Sequence, residues 1–234
     1  MKKIGNIGNI LIATTAVLVI PGLAGEVQKL VAERFGHALD RIDPSGVYIW
    51  ASIHHLAQLI LTIGLMLIFS RSLRGWGFNL NNQNFSLQFF GRFFIYYTAF
   101  VVAVHGALFF VAPTPVFHNQ LNARNVAGEL GFKLLLSGTC EEPLFRGFVM
   151  TLLYQSMTGA IRMGGIEMPY AGLVATGLFM LAHVGYSLSP FGITWFSPAQ
   201  QFQALALGLF YAYMFRYRGP RRRYGAAQLF SLGH

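Results

Sequence analysis

The stretch Glu141-Glu142-Pro143-Leu144-Phe145-Arg146 sets two carboxylates and a guanidinium inside a run, Leu134 to Tyr154, that is otherwise apolar, small or uncharged. Only eight of the 234 residues are acidic, so two side by side in such a run are conspicuous. A charge at the centre of a bilayer costs about 2.5–3.5 kcal/mol on insertion scales. A cluster of this kind therefore persists only where it has partners, water or a task, and it marks the first place to look for chemistry.

The surrounding composition explains why the run reads as membrane. The chain is 54% hydrophobic and 11% charged, against about 25% charged residues in soluble domains. Its formal charge of +9 is spread over short loops between apolar spans. That distribution is a topology signal rather than a nucleic-acid face, so the expected partner is the lipid bilayer and not a nucleic acid. The single cysteine, Cys140, excludes an internal disulfide framework.

Apolar runs near the roughly 20 residues needed to cross hydrocarbon occur at 5–24, 48–70, 89–112, 128–157, 169–187 and 199–216. The expected fold class is all-α, a polytopic membrane bundle of about six transmembrane helices plus the start of a seventh. Residues 1–120 are read as N-terminal transmembrane helices and 121–234 as the core that carries the chemistry. The first span has a signal-like form, with Lys2 and Lys3 before an apolar core and Pro21 to Ala24 as a candidate cleavage site. It is read as an uncleaved anchor. Residues 26–43 carry charges on a helical period beside Val27, Leu30, Val31 and Phe35, a pattern for a short amphipathic helix at the interface. Lys2, Lys3, Arg71, Arg74, Arg162, Arg216, Arg218 and Arg221 to Arg223 fall on one side of such a bundle. The positive-inside rule then puts the N-terminus in the cytoplasm. The expected location is an integral membrane protein of a bacterial inner membrane.

The run 128–157 is long for a perpendicular crossing. Thirty residues span roughly 45 Å, against about 30 Å of hydrocarbon. Pro143 lacks an N–H and predicts a break that frees the carbonyl of Thr139. Irregular backbone at that depth survives only beside protein or a wet cavity.

Within the cluster, Glu142 and Arg146 are four apart with the acid first, the favourable order for an ion pair on one helical face. Glu141 lies about 100° around the helix, free to face something else and to act as a general base on a sheltered water. The next span carries Phe179-Met-Leu-Ala-His183. Taken alone, His183 reads first as a core histidine bonded to a nearby carbonyl; the glutamates of the preceding span raise it to a candidate partner. His54, His55 and His105 are read as core histidines with little claim to catalysis. His234 ends the sequence given after a renewed apolar stretch. Either it reaches the depth of Glu141 on a re-entering helix, or it is part of a disordered end or a tag. A thiol nucleophile at Cys140 is disfavoured by its two carboxylate neighbours, which oppose thiolate formation.

Glu141-Glu142-Pro-Leu-Phe-Arg146 followed by Phe179-Met-Leu-Ala-His183 resembles the two leading motifs of the type II CAAX-protease-like family of intramembrane proteases (CPBP, or ABI, family) over about residues 125–234. The resemblance implies an intramembrane endopeptidase acting on a peptide or protein with a membrane-associated segment. It gives Glu141 the role of base, with His183 on the water and Glu142, Arg146 and Phe179 in support. A third motif of His with Asn four residues on stabilises the oxyanion in that family. His234 has the approximate spacing, and no Asn follows it in the sequence given. No cofactor is expected; if a zinc ion took part, Glu141, His183 and His234 would be its ligands, although adjacent glutamates diverge too far to chelate together. A non-catalytic scaffold or bacteriocin-immunity protein of the same family is the alternative. A transporter gated by the same charges is disfavoured because no inverted repeat is evident.

Overall fold

The structure, a computed structural model, describes residues 6–43, 48–76, 87–88, 91–92, 94–96, 98–99, 102–103, 123–163, 166–188 and 191–218. It forms two compact units: Met1–Phe78 with Leu130–His234, and Asn79–Glu129.

The first unit opens with α1 (Asn6–Ile42), a single helix of 37 residues. Ala13, Ala16, Val17, Ile20 and Ala24 are buried at spacings of three, one, three and four, which lie on one helical face. The expected interfacial helix at 26–43 is thus no separate element: the backbone runs helically through Pro21 and onward to Ile42. Asp43 ends α1 and starts the next helix. Its Oδ2 accepts from the backbone N–H groups of Tyr48 at 2.7 Å and Ile49 at 3.0 Å, satisfying donors that have no partner within the helix. Helix α2 (Tyr48–Phe69) follows and packs along α1. The indole N–H of Trp76 donates to the carbonyl of Met66 at 3.2 Å, and the Trp76 ring lies 5.0 Å from Phe148. That contact pins the end of α2 against the helix bearing the carboxylates.

In the second unit the described residues between 87 and 103 are helical, and α3 (Ala123–Gly131) begins there. Most of the expected span 89–112 lies outside the described residues.

The first unit resumes as a rod that alternates between two helical windings. Its π-helical stretch Phe132–Ser137 leads into α4 (Gly138–Glu142), a second π stretch, Pro143–Val149, and α5 (Met150–Ser156). Pro143 does not break the rod, contrary to the sequence expectation. It keeps helical angles, φ −56° and ψ −43°, and the turn widens instead, so that Met150 N–H reaches back five residues to Phe145 O. A wider turn absorbs the missing donor of proline without interrupting the axis. Leu144, Phe145, Phe148, Val149, Met150, Leu152 and Leu153 from this rod form the centre of the core, with α1 and α2 packed on it.

Two β-hairpins depart from the all-α expectation, in a structure that is 84% helical. Strand β1 (Ala160–Met163) pairs with β2 (Ile166–Pro169), and β3 (Gly185–Leu188) pairs with β4 (Phe191–Trp195), both antiparallel. The fifth expected span, 169–187, is therefore shorter than read. Its helix α6 (Tyr170–Leu181) has 12 residues, about 18 Å of rise, and a turn with a hairpin occupies the remainder. Helix α7 (Pro198–Arg218) covers the residues of the expected sixth span, 199–216, and packs antiparallel to α6. The crossing is close because small residues face each other. A Cβ on Gly172 would stand 2.6 Å from Ala212 Cβ, and one on Gly208 would stand 2.6 Å from Thr176 Cγ2, as at small-residue helix contacts in membranes. Among the described residues two helices, from Ile7 to Ile42 and from Tyr48 to Phe69, are long and apolar enough to cross a membrane. The expected bundle of six spans is matched to that extent. The start of a seventh helix lies outside the described residues.

Candidate functional site

The two adjacent carboxylates diverge as the helical step requires. Glu142 turns to Arg146, whose Nε lies 3.0 Å from Glu142 Oε2. That Nε is buried and its N–H is not aligned with any acceptor among the described residues, so the contact is an ion pair rather than a well-directed hydrogen bond. The guanidinium is held mainly by its faces: Cζ lies 3.5 Å from the ring centroid of Tyr211 and 4.9 Å from that of Phe179. Arginine suits this position because its flat, weakly hydrated cation stacks on aromatic faces.

Glu141 turns the other way, toward a cavity of about 330 Å³ lined by His54, His55, Gln58, His183, Gly185 and Trp195 among others. Its Oε1 lies 2.9 Å from His55 Nε2, and its Oε2 lies 4.0 Å from His183 Nε2. The side chains of His55, His183 and Glu141 are 15%, 19% and 24% exposed, enough for water to reach them and too little for bulk solvent to surround them.

Both histidines are oriented by the same device. His55 Nδ1 lies 2.8 Å from Ala51 O, and His183 Nδ1 lies 2.7 Å from Phe179 O. A carbonyl only accepts, so Nδ1 of each ring carries a hydrogen and Nε2 faces Glu141. His183 is not in the helix where the sequence reading put it. It sits in the turn after α6, where its own carbonyl accepts from Gln201 Nε2 at 3.0 Å. Phe179 joins the two halves of the site: its ring lies 4.6 Å from His183 and 4.9 Å from Phe145.

Of the residues expected from the sequence, Glu141, His183, Glu142, Arg146 and Phe179 come together here. His234 lies outside the described residues, as does His105. Cys140 is buried and does not line the cavity. Among the described residues no three His, Cys, Asp or Glu side chains converge as ligands for a metal ion. The residue the sequence reading passed over is His55. It was visible as part of a polar stripe in an apolar helix, since Ser52, His55, Gln58 and Thr62 recur at three and four residues and so share one face.

Residues 124–221 match the family model described as type II CAAX prenyl endopeptidase Rce1-like. That segment is similar to an Rce1-like domain. The Rce1-like family is a family of membrane-associated proteases, and its matched segment contains Glu141, Glu142, Arg146, Phe179 and His183. Neither curated proteins nor solved structures gave a significant match to the chain. The matched segment does not include α1 or α2, yet Pro21, His54, His55 and Gln58 from those helices line the same cavity.

Proposed function

We propose that this protein is an intramembrane endopeptidase in which Glu141 activates a water molecule for attack on a peptide bond. The observation that carries the reading is the Glu141 carboxylate in a sheltered cavity, with one oxygen in contact with His55 and the other 4.0 Å from His183 Nε2. A water at about 2.8 Å from both of those atoms sits at the apex of a triangle on that 4.0 Å base. It gives one hydrogen to Glu141 Oε2 and the other to the unprotonated Nε2 of His183.

In the reaction, Glu141 takes a proton from this water as the oxygen attacks the scissile carbonyl carbon. The tetrahedral oxyanion then collapses, the C–N bond breaks, and Glu141 returns the proton to the leaving nitrogen. One water is consumed and an acid and an amine are released. His234 and the side-chain amides of Gln58 and Gln200, two residues of the cavity lining, are the donors we assign to the oxyanion. Glu142, Arg146, Phe179 and Tyr211 keep the rod and α7 in place around it. The substrate is a peptide with a membrane-associated segment, of which a prenylated C-terminus is the first candidate given the family. We take the mechanism to be independent of metal.

The test is cleavage of a membrane-peptide library, including S-farnesylated C-terminal peptides, by purified protein in lipid nanodiscs. Cleavage by the parent, its loss in Glu141→Gln and His183→Ala, and its persistence in chelator support the reading. Cleavage at parental rate by Glu141→Gln overturns it. Inhibition by chelator that zinc reverses overturns the metal-independent form.

A further inference from the structure

We infer that His55, on α2 and outside the segment matching the protease family, is a positioning residue that fixes which oxygen of Glu141 acts as the base. The inference rests on the endopeptidase reading and deepens it.

Three observations carry it. The first is the 2.9 Å contact between His55 Nε2 and Glu141 Oε1, against 4.0 Å from Oε2 to His183. A carboxylate has two equivalent oxygens and rotates freely about its terminal bond. A partner on one of them removes that freedom and leaves the other pointing at a defined place. The second is the proton count. With Nδ1 of His55 donating to Ala51 O, the 2.9 Å contact needs one further hydrogen between Nε2 and Oε1. Without it two lone pairs would face each other. Carried by the ring, this hydrogen makes His55 the cationic donor and keeps Glu141 a carboxylate, with Oε2 the oxygen left to receive a proton from water. The third is the clamp on His55 itself. Its ring packs edge-on against Phe132 at 4.9 Å and lies 5.6 Å from His54, so the imidazole is held by neighbouring rings as well as by Ala51.

His54 has no such geometry toward Glu141: among the described residues no hydrogen bond or ion pair joins the two. The face of α2 that bears His55 also bears Gln58, which is 4% exposed and lines the cavity. This helix therefore contributes a wall of the site as well as a support for the base. A positioning role predicts a loss in turnover rather than in substrate binding, because what His55 changes is the orientation of Glu141.

The experiment measures kcat and KM for a quenched-fluorescent, S-farnesylated C-terminal peptide, with the full chain in nanodiscs. His55→Leu removes the Nε2 donor; His55→Gln restores an amide N–H near the same point. The expected result is a fall in kcat of about 10- to 100-fold for His55→Leu, the scale of a hydrogen bond to a charged group. KM should stay within about threefold, and His55→Gln should recover kcat to within about tenfold of the parent. A His55→Leu protein that keeps its melting transition and full kcat overturns the positioning role alone. If His55→Leu loses its melting transition, His55→Gln decides: recovered kcat supports the role, and a folded but inactive His55→Gln overturns it. A parent protein that cleaves nothing, with or without the prenyl group, overturns the endopeptidase reading and this one with it.

Discussion

His55 and His183 approach the same carboxylate from opposite ends of the sequence, and they do so with the same local chemistry. Each ring donates from Nδ1 to the carbonyl four residues earlier, Ala51 in one case and Phe179 in the other. Each points Nε2 at Glu141. They differ in the remaining gap, 2.9 Å for His55 and 4.0 Å for His183. The shorter distance is a hydrogen bond and leaves no room for a third party. The longer one is too far for a direct bond and right for one bridging water. Two histidines oriented through Nδ1 in the same way are thus divided between holding the base and sharing its water, and the division follows from where the backbone places each ring.

Removing the shared partner is the largest way to break this comparison. Glu141→Gln should lower kcat by about 10²- to 10⁴-fold with the melting temperature little changed, as read by peptide cleavage and by thermal unfolding in detergent. A smaller loss, about 10²-fold, is expected for His183→Ala. His183→Gln sharpens the contrast: an amide should not rescue position 183, because its task includes accepting a hydrogen from water at a basic nitrogen. Rescue at 183 equal to that at 55 would show the two histidines doing the same job.

The part of the site that was legible in the sequence is the part built from short spacings. Glu142 and Arg146, and Phe179 and His183, are pairs four apart, so helical geometry alone predicts their faces. His55 meets Glu141 across 86 residues, and no periodicity reports a contact of that length. The fold was legible where an apolar run forms one helix, as at 48–69 and 198–218. It was misread at 182–187, the end of an expected span, and at 191–195, an expected loop. Tyr186 and Leu188, and then Phe191, Ile193 and Trp195, each alternate with period two, a strand signature. Each run is too short for that signature to stand out beside an apolar span. Pro143 was misread for another reason: its missing N–H was counted as a break, whereas a wider helical turn removes the need for it.

A milder perturbation probes the support behind the site. Arg146→Lys keeps the charge near Glu142 and loses the flat face stacked on Tyr211 and Phe179. It should cost about 1–2 kcal/mol of stability and several-fold in kcat, measured by thermal unfolding and peptide cleavage. The smallest expected effect on catalysis is that of Gly208→Ala. Its new methyl meets Thr176, so the helices must part slightly, at about 1–3 kcal/mol. The catalytic groups themselves are untouched, and kcat should fall by less than that of Arg146→Lys.

The crossing of α6 and α7 reaches further than its stability. Gly172 meets Ala212, Thr176 meets Gly208, and Gln201 meets the carbonyl of His183. Each step along α6 is matched by an equal step back along α7, so these contacts belong to one register, like teeth of a rack. His183 is thereby indexed to a point roughly 16 Å away along α6. A bulkier side chain at Gly172 would not touch the cavity, yet it would shift the depth at which the imidazole stands and so the width of the gap that admits a single water. Residues far from the chemistry thus become its fine adjustment, and a search for variants with altered rates has a reason to begin at this glycine.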